Sequence, residues 1–83
     1  MNLRDQVLAQ ALLLAGELTE RQQMVLGALC TATTASLNAR LREGLAPEDC
    51  KADFIAAASL MALAALNGVD EEARVEQRMV FMV

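Results

Sequence analysis

Apolar positions recur along this chain at helical spacing in three stretches, separated by two short breaks that carry glycine. The first stripe is Leu3, Val7, Ala11 and Leu14, widened by Leu8, Leu12 and Ala15. Asn2 stands before it as a cap for the free amides, Asp5 follows three residues later in a box-like arrangement, and Gly16 supplies the stop. Arg4, Gln6 and Gln10 fall outside the stripe and read as a solvated face.

Thr19-Glu20-Arg21-Gln22 matches a capping box, with Leu18 ahead of it as a candidate hydrophobic staple. With no proline to interrupt it, the second helix is expected to reach Glu43, although Gly27 weakens it by about 1 kcal/mol relative to alanine. One face bears Leu26, Leu29, Cys30, Thr33, Leu37 and Leu41, and the face beside it bears the smaller Val25, Ala28, Ala32, Ala35 and Ala39. That small face permits close approach of another helix. Thr31, Thr33, Thr34 and Ser36 lie mid-helix, where hydroxyls bond back to preceding carbonyls.

Between Phe54 and Leu66 the sole polar residue is Ser59, so a helix there is apolar on every side. At 1.5 Å per residue the run spans about 20 Å, short of the roughly 30 Å of a bilayer core, and Asp53 and Asn67 bound it. It is therefore expected as the central helix of a soluble fold, with apolar faces to spare and no membrane partner. In the break before it, Gly44 suits a left-handed stop, with Leu45 folding back on Leu41. Pro47 suits a first helical position, and Glu48 and Asp49 suit the positive end of the helix dipole. So short a connection predicts antiparallel second and third helices. The third is expected to close at Asn67-Gly68, with Val69 in a capping contact.

Residues 70–83 read as a C-terminal arm on a single domain of residues 1–83. Asp70 suits the cap of a short acidic helix and an i,i+4 pair with Arg74. From Arg78 to Val83 the pattern turns β-prone and apolar, which predicts a last turn docked on the core, a strand-like tail at an intersubunit contact, or a disordered end.

Composition agrees with an all-α class, a three-helix core with a short C-terminal helix or strand-like tail. Sixteen alanines and fourteen leucines against one isoleucine favour helix over strand. The chemistry available is narrow. With no histidine, a histidine-based triad or zinc site cannot be built within one chain, and a net charge of −4 has the wrong sign for neutralising phosphates. Cys30 and Cys50 share no metal or redox spacing and read as small core residues; Cys50 at a helix start is opposed as a thiolate by Glu48 and Asp49. Asp49 and Asp53, four residues apart, share a helix face, but two carboxylates beside Lys51 read as an acidic helix start rather than a cation site. No cofactor, no metal and no enzymatic activity are expected. An acidic residue within Met1-Asn2-Leu3-Arg4-Asp5 is unlike a secretory signal, so a cytoplasmic protein is expected.

Two resemblances bear on function. Leu18 to Leu26 is similar to the opening of the helix-turn-helix in some bacterial regulators and sigma-factor domains. The helix after Pro47 nevertheless offers only Lys51 to base edges, so no specific nucleic acid is expected. The order of a short helix, a long helix ending Leu41-Arg42-Glu43-Gly44-Leu45-Ala46-Pro47-Glu48-Asp49-Cys50 and an Ala-rich helix resembles small prophage-encoded head-to-tail connector proteins. That resemblance implies a helical, ring-forming subunit, with other phage structural proteins as partners and the virion as an alternative location. It implies no catalytic residues. The residues alone point to the same class: an assembly module that forms homo-oligomers by apolar burial. The expected interface residues are Phe54, Leu60, Met61 and Leu63 on the third helix, with Met79 and Phe81 in the tail. A helix-turn-helix regulator, and a helical antitoxin or adaptor that covers a different protein, are the alternatives.

Overall fold

Both capping motifs at the helix starts form. In the computed structural model, which describes the backbone of residues 2–41 and 43–82 and the side chains of residues 2–41 and 43–70, Asn2 Oδ1 accepts the Asp5 amide at 2.8 Å. That cap opens α1 (Leu3–Ala15), which closes at Gly16, φ 76°, a backbone conformation that strains any other residue. The second box is reciprocal. Gln22 N–H donates to Thr19 Oγ1 at 3.1 Å, and the Thr19 amide donates to Gln22 Oε1 at 2.9 Å, starting α2 (Glu20–Ala39). Position N4 holds Gln23, whose side-chain Nε2 donates to the Leu18 carbonyl at 3.2 Å, while Leu18 packs on the core.

The second helix ends at Ala39, short of the expected Glu43. The amide of Arg40 turns back to Leu37 at 3.1 Å and that of Leu41 to Asn38 at 3.3 Å, so the last turn tightens to i→i−3 bonds before Gly44 takes φ 84°. Pro47–Cys50 forms one 3₁₀ turn, in which the Asp49 carboxylate accepts the Ala46 amide at 2.8 Å. The helix α3 (Lys51–Met82) follows directly.

Here the arm departs from expectation. Asn67-Gly68 does not close the helix: Gly68 is not among the positive-φ glycines, and the backbone stays helical to Met82, neither a separate short helix nor a strand. The physical reason lies on both sides of the glycine. Leu66 is buried and Asp70 is held by α2, and a run of strong helix formers from Glu71 to Arg74 offsets the cost of about 1 kcal/mol for one glycine. Asp70 is consequently an interior residue of α3 rather than a cap. Its expected pairing with Arg74 and the contacts of Met79 and Phe81 lie outside the described side chains.

Two hydrogen bonds fix α2 and α3 as antiparallel, as expected. Gln22 Nε2 donates to Asp70 Oδ2 at 3.2 Å near one end, and Thr33 Oγ1 lies 3.2 Å from the Ala58 carbonyl oxygen farther along. Each helix contributes residues at i,i+4 to one core: Val7 and Ala11 from α1, Leu26 and Cys30 from α2, Phe54, Ala58, Ala62 and Leu66 from α3. Two alanines at the middle of the α3 series let the neighbouring helices come close. Ser59, fully buried, satisfies its hydroxyl by donating to the Ala56 carbonyl at 2.9 Å.

Candidate interaction surface

With Phe54, Ala58, Ala62 and Leu66 turned inward, the 3.6-residue period puts Ala56, Leu60 and Ala64 on the opposite side of α3, where all three are exposed. Leu60 is 59% exposed near the middle of the apolar run from Phe54 to Leu66. Met61 and Leu63 flank it, each half-buried, and Leu63 packs against the bundle's own core. Phe54, expected beside them as an interface anchor, is only 2% exposed and belongs to the core of its own chain. Its position at i−4 from Ala58 decides this.

A second apolar surface was not anticipated. Leu8 and Leu12 of α1 and Glu20, Gln23 and Met24 of α2 line an open groove of about 430 Å³, and Met24 is 77% exposed there. Leu13 and Leu14, next in sequence, are exposed too, although Leu14 is expected on the core stripe. The signal was present in the sequence: three consecutive leucines, Leu12 to Leu14, sweep about 200° of a helix and cannot all face one core.

Arg4 overturns another expectation. Instead of extending into solvent, its guanidinium crosses to α2, donating from Nε to Thr31 Oγ1 at 3.0 Å and from Nη2 to the Gly27 carbonyl at 3.1 Å. Its Nη1 pairs with Asp5 at 3.1 Å. Gly27 is what admits it, since a Cβ there would stand 3.1 Å from Nη2. Thr31 Oγ1 also donates to the Gly27 carbonyl at 3.1 Å, so that oxygen accepts from two sides. The cluster ties α1 to α2.

Chemistry elsewhere is sparse. Burial pushes the Cys30 thiol above its ordinary range, with the Arg4 charge opposing, which suits an unreactive core residue. Cys50 is half-buried, its Sγ 4.0 Å from the Ala46 carbonyl oxygen. Asp49 is occupied as a cap, and no group of three or more metal-ligating side chains occurs among the described residues. Thr34 Oγ1 is buried without a hydrogen-bond partner. Within Pro47–Asp70 an 18-residue window has mean hydropathy 1.6, long and apolar enough to cross a membrane by length and composition, as the core helices of soluble proteins also are.

The sequence matches no protein-family model, and neither curated proteins nor solved structures show a match. The surfaces therefore have to be interpreted from their own chemistry.

Proposed function

We propose that the chain is a non-enzymatic assembly module that forms homo-oligomers through the outward face of α3. The supporting observation is Leu60, 59% exposed and flanked by the exposed Ala56 and Ala64, on a helix whose other side already fills the core. Burying such a face removes apolar area from water at about 25 cal/mol per Å², while alanines on either side allow close backbone approach. Met61 and Leu63 form the edges of the contact. The finer reading is a subunit of a phage head-to-tail connector, after the likeness of helix order and of the Leu41–Cys50 connection.

Light scattering after size exclusion, at tens of micromolar, tests the association. The expected mass is a multiple of 8.9 kDa for the native chain and falls toward 8.9 kDa for Leu60→Glu, with helical content unchanged by circular dichroism. A native chain that runs as a monomer, or a Leu60→Glu variant with undiminished mass, overturns the proposal.

A further inference from the structure

We draw no further inference here: the strongest candidate, the open apolar groove between α1 and α2 lined by Leu8, Leu12, Gln23 and Met24 with Glu20 at its edge, carries nothing because nothing in the structure shows what covers it.

Discussion

The Nη2 atom of Arg4 lies 3.1 Å from the Gly27 carbonyl oxygen, and a Cβ added to Gly27 would stand at the same distance from that nitrogen. Two effects then oppose each other in Gly27→Ala. Helix propensity favours alanine by about 1 kcal/mol, while the guanidinium has to shift by a few tenths of an ångström. Because the obstructing atom is the far end of a flexible side chain, propensity wins, and Gly27→Ala is expected to stabilise the chain by less than about 1 kcal/mol in urea unfolding. In an Arg4→Ala background the same change should give the full amount, a coupling of about 0.5 kcal/mol. Equal effects in both backgrounds would show that Arg4 and Gly27 do not constrain each other.

Thr33 and Thr34 are neighbours with opposite hydroxyl environments. Thr33 Oγ1 lies 3.2 Å from the Ala58 carbonyl and 3.4 Å from that of Cys30, whereas Thr34 Oγ1 is buried with no partner. Valine is nearly isosteric and has similar helix propensity, so the hydroxyl is isolated by the comparison. Thr33→Val is expected to destabilise by about 1 kcal/mol and Thr34→Val to stabilise by about 1 kcal/mol, read from urea midpoints at constant m-value. Effects of the same sign would contradict the assignment.

Gly68 and Gly44 give an opposed pair for backbone conformation. A Cβ at Gly68 meets nothing within 4 Å and the position lies inside α3, so Gly68→Ala should stabilise by about 1 kcal/mol and raise helicity. Gly44 has φ 84°, which strains any residue with a Cβ, so Gly44→Ala should be destabilising. Loss of stability in Gly68→Ala would mean that the helix closes there after all.

The two thiols should be distinguishable by reactivity. At pH 8 an aromatic disulfide reagent is expected to label the half-buried Cys50 promptly and the fully buried Cys30 only on unfolding. Unfolding lets Cys30 lose its proton near the ordinary value of 9.0, while in the fold burial, opposed by Arg4, holds it protonated to higher pH. Its contribution is therefore intact below pH 9.0 and declines as pH rises through the folded value. Cys30→Ala should flatten that decline, visible in thermal midpoints measured from pH 8 upward.

Local rules carried most of the fold. Asn2, Thr19 with Gln22, Gly16, Gly44 and Pro47 all act where their side chains or dihedral freedom suggest, because capping involves groups only three or four residues apart. What failed depended on partners distant in sequence. Gly68 resembles a helix stop until Asp70 is seen bonded to Gln22, and Arg4 resembles a solvated residue until Gly27 is seen beside it. The candidate interface shows the same division. Leu60 follows from an apolar run with more faces than one core can cover, but excluding Phe54 from that surface needs the phase of α3 against its neighbours.

Gln22 joins two kinds of contact in one side chain. Its Oε1 completes the box with Thr19, and its Nε2 holds Asp70 on α3. Glutamate at this position satisfies the capping-box rule equally well and suits the first helical turn, so by short-range criteria Gln22→Glu is harmless or beneficial. In the folded chain it would set a second carboxylate against Asp70 and remove the only donor that bond has in Gln22. Initiation of one helix and the seating of another thus draw on a single amide, and a substitution that improves the isolated peptide should weaken the whole molecule.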